Sequence, residues 1–408
     1  MITEIEIEGF KSLKKVHLKL GGLNLFIGAN ASGKSNFFDA LQVLQGIGYG
    51  LTIEEIFNGK PKSATSEVWE GIRGGSSRVA FSGKNRQQGG KGKIKFHAEL
   101  RLPIVPNQTV SYSIEILPEE IAILNERLEE GSRTVFDAMG ADWAPLVFLA
   151  GRYSIPGNGG ESHNLLERAR PALGQWLRSD FVVEEDRRLL GECKRLLGNV
   201  QRINSSPDVL RDYSRAHATK RMGERGENFA ALVKSIITDP DLGSSYLSWL
   251  RQLTPSELDD VVILSGALGE PLFALKEGEE ITPAPILSDG TLRFAALAAA
   301  FFQPDMPDII TLEEIENGIH PSRLRLLVEL LKSQSGGSGP QVFATTHSPV
   351  VLAWLEEKDY ETTFLCKRDE ETGASIIKPL SEIPHLIDLV RKQPIGELFT
   401  EGWLEGTF

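Results

Sequence analysis

The first apolar residues of the chain are spaced in twos. Ile5 and Ile7 fall between acids within Ile2 to Ile7, and Val16, Leu18 and Leu20 alternate with His17 and Lys19, as in half-buried strands. Leu23 to Ile27 is a short apolar run that enters a glycine loop. From Ser32 to Leu44 the period changes: Phe37, Phe38, Leu41 and Leu44 recur at helical spacing, so the loop joins a strand to a helix.

From about Lys60 to Pro118 the pattern is β-rich, with Ile94 to Leu102 and Val110 to Leu117 separated by Gly, Asn and Pro, which predicts a small antiparallel lobe. Trp143 to Ala150 reads as a buried strand, followed by a Gly/Ser/Asn loop through Gly160. Leu165 to Leu253 is mostly helical in pattern. Strands resume at Val261 to Leu264 and Leu272 to Leu275, and strand and helix then alternate to about Leu355. No internal repeat or sustained heptad pattern occurs. The fold class is α/β, a mixed sheet flanked by helices with an inserted antiparallel β lobe and a helical lobe. The expected division is a discontinuous head from residues 1–60 and 255–408, a β-rich lobe with its connecting loop at 61–164, and a helical lobe at 165–254.

Composition narrows the function classes. The 408 residues carry a net charge of −12 with 41% hydrophobic residues, which excludes disorder as the main state and a protein that coats nucleic acid through bulk charge. Any contact with DNA is local. Lys84, Arg86, Lys91, Lys93 and Lys95 form one basic stretch, read either as a solvated hairpin tip or as a phosphate-backbone contact. Arg187, Arg188, Lys194, Arg195 and Arg202, then Arg211, Arg215, Lys220, Arg221 and Arg225, form another, more simply read as solvated helix faces. Cys193 and Cys366 stand far apart without a CxxC, so neither a disulfide framework nor a zinc site is expected. The longest apolar run, Phe294 to Phe302, is too short to span a bilayer. We expect a cytoplasmic chain with no membrane partner and no targeting segment.

Gly28-Ala29-Asn30-Ala31-Ser32-Gly33-Lys34-Ser35 matches GxxxxGK[ST] between a strand and a helix, the context that pattern requires. Glycine lets the backbone N–H groups turn inward around phosphates, the helix N-terminus adds its positive end, and Lys34 neutralises the β and γ oxygens. Ser35 supplies a hydroxyl for Mg²⁺. Downstream, Ile309 to Leu312 is a buried-strand run that ends in Glu313 and Glu314. Glu313 is the metal-side carboxylate and Glu314 the general base for the attacking water. Leu287-Ser288-Asp289-Gly290-Thr291 opens the apolar helix Leu292 to Phe302. Ser288 and the Gly290 N–H there form either an ordinary cap or an anion site. Glu316 to Pro321 follows the acidic pair, and Gln341 to Ala344 is a strand that runs into Thr345-Thr346-His347-Ser348-Pro349. His347 is placed to donate to a γ-phosphate.

On these residues the sequence resembles the ABC-type ATPase superfamily, and within it the RecF/SMC-like branch that includes the ATPase half of the overcoming-lysogenization-defect proteins. GANASGKS corresponds to Walker A, LSDGT to the signature, IITLEEIE to Walker B, ENGIHP to the D-loop and TTHSP to the switch histidine, in the family's order. The resemblance covers both ends of the chain. It implies that residues 28–36, Asn36 included, together with Ser288, Asp289 and Gly290, bind ATP. It also implies that Ser35 and Glu313 hold Mg²⁺, and that Lys34, Glu314 and His347 act in hydrolysis. It further implies a homodimer with two ATP molecules sandwiched between heads, coupled to DNA or to a separate nuclease or toxin effector, in repair or in defence against phage. Transporter subunits usually carry LSGGQ and Asp-Glu, so a transport ATPase is the weaker alternative; a non-hydrolysing scaffold is another. The 59 residues after Pro349 are too few for a TOPRIM nuclease of roughly 100 residues, so no nuclease activity is expected. A glutamine-loop residue near Ala150 stays unassigned.

Overall fold

The computed structural model describes residues 1–61, 69–83, 92–140, 148–154, 161–215, 217–253 and 258–406. In chain order the strands are β1 (Ile2–Phe10), β2 (Leu13–Lys19), β3 (Leu23–Ile27), β4 (Ile94–Leu100), β5 (Val110–Leu117), β6 (Ala122–Glu130), β7 (Arg133–Met139), β8 (Phe148–Ser154), β9 (Glu161–Glu167), β10 (Val200–Ile203), β11 (Leu258–Ser265), β12 (Pro271–Glu277), β13 (Glu280–Pro283), β14 (Ile309–Leu312), β15 (Gln341–Thr346), β16 (Thr363–Arg368) and β17 (Ser375–Pro379). The chain forms two compact units. The first comprises Met1–Gly21, Ile27–Val200 and Phe364–Glu382, and the second Gly22–Phe26, Gln201–Thr363 and Ile383–Phe408.

In the first unit one sheet runs β2-β1-β4-β5-β6-β7-β8-β9, with every pairing antiparallel. The N-terminal hairpin therefore continues directly into the antiparallel strands 94–117 through the register Ile5↔Ala98 and Ile7↔Phe96. β4 and β5 alternate buried and half-buried residues along their whole length, the signature of a sheet with one face on a core. Phe10 and Phe96 meet there with ring centroids 5.6 Å apart. Helix α1 (Lys34–Tyr49) follows the glycine loop and buries Phe37, Phe38, Leu41 and Leu44, the residues whose spacing predicted it.

In the second unit β10, β14, β15 and β3 lie side by side in that order. β14 and β15 pair in parallel, Leu312 opposite Ala344, so their C-terminal ends reach the same edge. All four residues of β14 and all six of β15 are buried, as parallel strands covered on both faces require. A separate antiparallel sheet, β11-β12-β13, packs Phe273 against Phe229, with centroids 4.8 Å apart. The helix Asp289–Phe301 buries every residue from Thr291 onward except Arg293.

The helical expectation for Leu165 to Leu253 needs correction in detail. The longer helices are Glu184–Gly198, Phe229–Thr238 and Pro240–Leu253, but the segment opens in β9, which pairs with β8, and β10 interrupts it. Strand pairing with residues outside the segment overrides local propensity there. Of the expected strand Trp143 to Ala150, residues 141–147 lie outside the described residues, and β8 begins at Phe148. Lys84, Arg86 and Lys91 of the first basic stretch, and the loop 155–160, also lie outside them.

Candidate functional site: a phosphate loop and an acidic strand edge

The first unit carries the glycine loop. Gly28 has φ +139°, Ala31 +63° and Gly33 +111°, and this left-handed backbone turns the loop on itself. A Cβ at Gly28 would run into the Cys366 carbonyl, and one at Gly33 into the Ser375 hydroxyl. Glycine at these two positions is therefore set by the hairpin β16–β17, which closes over the loop. Ser12 and Ser375 share a hydroxyl hydrogen bond of 2.6 Å, the Asn36 amide donates to Ser12 at 2.6 Å, and the Ser375 N–H donates to the Ser12 carbonyl at 2.7 Å. Lys34, buried, donates its Nζ to the carbonyls of Gly28 at 2.6 Å and Ala29 at 2.8 Å. Its amine is thus folded back onto the loop's own carbonyls. The Ser35 hydroxyl is half-exposed and without a hydrogen bond among the described residues.

Three residues that the sequence did not single out complete this half. Asp39, buried on α1, is hydrogen-bonded by Lys11 and is 3.1 Å from Arg73. Arg73 also donates to the Ser35 carbonyl at 3.2 Å. Burial holds the Lys11 amine below its ordinary value, while Asp39 pulls it back up. Nothing local to Lys11, Asp39 or Arg73 announces this cluster, because it joins three segments remote in sequence.

The second unit carries the acidic edge. β14 ends at Leu312, Glu313 is half-buried, and Glu314 is exposed with φ +49°. A left-handed backbone at a non-glycine residue costs roughly 1 to 3 kcal/mol and concentrates at functional positions. The Thr345 hydroxyl holds this turn by accepting from the Glu314 N–H at 2.9 Å, and the Asn317 amide donates to the Glu314 carboxylate. Two residues on, Glu316 Oε1 accepts from the His347 N–H at 2.6 Å, which fixes the backbone of the histidine. The imidazole itself makes no hydrogen bond among the described residues. Glu313 Oε1 is 2.8 Å from Arg202 Nη2, whose Nε is 3.2 Å from Glu224.

At the signature, Ser288 caps its helix by accepting from the Thr291 N–H at 3.2 Å, and the two hydroxyls are 2.8 Å apart. Asp289 is ion-paired with Arg211, which also donates to the Leu287 carbonyl at 3.1 Å. A Cβ at Gly290 would lie 2.8 Å from the Gly318 carbonyl, so glycine there permits the close approach of Glu316–Pro321. The structure thus assembles Glu313, Glu314, Glu316, His347, Ser288, Asp289 and Gly290 within one unit and residues 28–36 within the other.

The charge clusters behave differently from one another. Arg187 donates to the carbonyls of Leu177, Ser179 and Val182, and Arg188, Arg195 and Arg221 pair with Glu184, Glu192 and Asp305. Arg215, Lys220 and Arg225 are exposed with no side-chain partner among the described residues. Lys93 lies 3.7 Å from Glu115. Cys193 and Cys366 are buried and free, and burial pushes both thiols up, which disfavours the reactive thiolate.

Ser35 offers a hydroxyl and Glu313 a hard carboxylate oxygen, each a donor type that Mg²⁺ accepts. Among the described residues no group of three or more His, Cys, Asp or Glu could hold a metal. No described helix is long and apolar enough to cross a membrane.

Comparison with known proteins agrees with this chemistry. Residues 1–51 match the family model described as AAA ATPase domain, and residues 246–353 the one described as AAA domain, putative AbiEii toxin, Type IV TA system. An ATP/GTP phosphatase of Helicobacter pylori (strain ATCC 700392 / 26695) is 23% identical over 392 residues, 91% of this chain and 93% of that protein. Among solved structures, the SmcHead bound to the C-winged helix domain of ScpA has a TM-score of 0.51 at 16% identity, with 93% of this chain and 98% of that one covered. An Smc head domain bound to the C-terminal domain of ScpA derived from Pyrococcus furiosus has a TM-score of 0.48 at 14% identity, covering 96% and 99%. The first of these shows the fold, a P-loop ATPase head.

Proposed function

We propose that this AAA/RecF/SMC-like ATPase is a head that closes on a second copy around two ATP molecules and reopens when they are hydrolysed. Lys34 and the inward N–H groups of residues 28–36 hold the β- and γ-phosphates. The helix N-terminus at Ser288 and Gly290, with Asp289 neutralised by Arg211, receives the γ-phosphate bound by Lys34 of the other copy. Glu314 takes the proton of the attacking water, and His347 donates to the γ-phosphate. Ser35 and Glu313 would hold Mg²⁺, which would supply positive charge against the phosphates.

The observation that supports this reading best is the backbone at Glu314. A strained turn, held by Thr345 and Asn317, carries an exposed carboxylate off a buried strand, which a purely structural strand end does not need. Hydrolysis is coupled to DNA or to a separate effector such as a nuclease or toxin, in a reducing cytoplasm where two buried free thiols persist. The test is sedimentation in saturating ATP and Mg²⁺. Glu314→Gln is expected to run as an ATP-bound dimer, and Lys34→Ala to bind no nucleotide and stay monomeric. A Glu314→Gln protein that binds ATP yet remains monomeric overturns the sandwich.

A further inference from the structure

Arg293 interrupts an otherwise buried helix. From Thr291 to Phe301 it alone is not buried, and its guanidinium makes no hydrogen bond or ion pair among the described residues. It lies against the segment after the acidic pair: a methyl group on Gly318 would be 3.7 Å from Arg293 Cδ and 4.0 Å from Nη1. Burial holds the guanidinium below its ordinary value, and the charges of Glu314 and Glu316 pull the other way. On the facing segment, Glu316 Oε2 is buried with no hydrogen-bond partner, while Oε1 holds the His347 N–H.

A buried carboxylate oxygen left unpaired loses the hydration it had in the unfolded chain without replacement, and loses more when charged. Half-buried guanidinium groups are likewise retained where a carboxylate completes them. The two groups are near enough for their charges to interact, and neither is satisfied among the described residues. Glu316 is the one carboxylate whose other oxygen already grips the backbone of the switch histidine.

The geometry points to Arg293 as a positioning residue that pairs with Glu316 when nucleotide draws the signature helix inward, so that occupancy at Ser288 and Gly290 reaches His347 through one carboxylate. This rests on the roles proposed above for the signature and for His347. The helix carries Arg293 little more than one turn from Ser288, so a small shift of its N-terminus moves the guanidinium along Gly318 toward the free oxygen. In the unliganded arrangement both groups wait unpaired, and closure supplies the partner each lacks.

The experiment is a double-substitution cycle on ATP hydrolysis and ATP affinity with R293A, E316Q, the combined variant and R293K. We expect R293A and E316Q each to lower kcat about tenfold while ATP affinity changes less than about twofold. The combined variant is expected to be no slower than either alone, and R293K to recover part of kcat. A combined loss near 100-fold, or wild-type turnover in either single variant, overturns the pairing. Should R293A fail to fold, R293Q takes its place in the cycle. Sedimentation of Glu314→Gln reports on the dimer separately: heads that stay monomeric overturn the sandwich and with it the trigger, whereas additive kinetics in heads that do dimerise overturn the Arg293–Glu316 pairing alone.

Discussion

The Arg202 guanidinium lies 2.8 Å from the Glu313 carboxylate, so the group assigned to Mg²⁺ already has a cation beside it. Arg202 belongs to β10 and also reaches Glu224; the pair is partly exposed, and its strength in water is modest. In the proposed metal role of Glu313, Arg202 and Mg²⁺ would compete for one oxygen. Arg202→Ala is expected to lower the Mg²⁺ concentration for half-maximal ATP hydrolysis by a few-fold, read from a Mg²⁺ titration at fixed ATP. An unchanged or higher Mg²⁺ requirement contradicts the competition.

Gly33 is constrained twice, by φ +111° and by the Ser375 hydroxyl that a Cβ would strike. Gly33→Ala is expected to destabilise the protein by at least about 2 kcal/mol and to weaken ATP binding, because relief requires the loop to move away from β17. Thermal unfolding and calorimetric titration with ATP check the two effects. A variant with wild-type melting and affinity refutes the account.

Glu126 is fully buried on β6, where it accepts from the Ala172 N–H at 2.5 Å, the Leu173 N–H at 2.9 Å and the Tyr112 hydroxyl at 3.0 Å. Burial lifts its carboxyl from 4.5 to about 7 against the pull of these donors. Between those values the folded protein keeps a proton that the unfolded chain has released, so stability falls as pH rises through the window and levels off above about 7. The total is about 3 kcal/mol. Glu126→Gln is expected to flatten this slope in urea denaturation at pH 5, 6, 7 and 8, and an unchanged slope counts against it.

Arg215, Lys220 and Arg225 are the members of the second basic stretch that are exposed and unpaired among the described residues, whereas most of the others are held by carboxylates or carbonyls. If the head binds DNA, reversing these three charges to Glu should weaken binding and reduce the slope of log affinity against log salt by about 2 to 3. Reversing Arg188 and Arg195, each paired on its own helix, should change it far less. Equal effects from both sets would assign the contact elsewhere.

The local backbone of the glycine loop, of the acidic strand end, of the Ser288 cap and of the strand end before His347 was legible in the sequence because its context, strand to loop or loop to helix, is written in the neighbouring residues. The strand and helix around Gly28–Ser35 follow from a change of hydrophobic period. The buried parallel strands β14 and β15 follow from continuous apolar runs.

Only tertiary structure decided what surrounds these motifs. Ser12 and Ser375 meet across 363 positions and Arg202 and Glu313 across 111; no local pattern encodes such pairs. The same holds for β9 and β10, where strand partners from other segments prevail over helical propensity. Local sequence specifies groups whose chemistry depends on near neighbours in the chain. Whether a carboxylate is neutralised, orphaned or held at a pH-sensitive value depends on burial and on charges that only folding brings near.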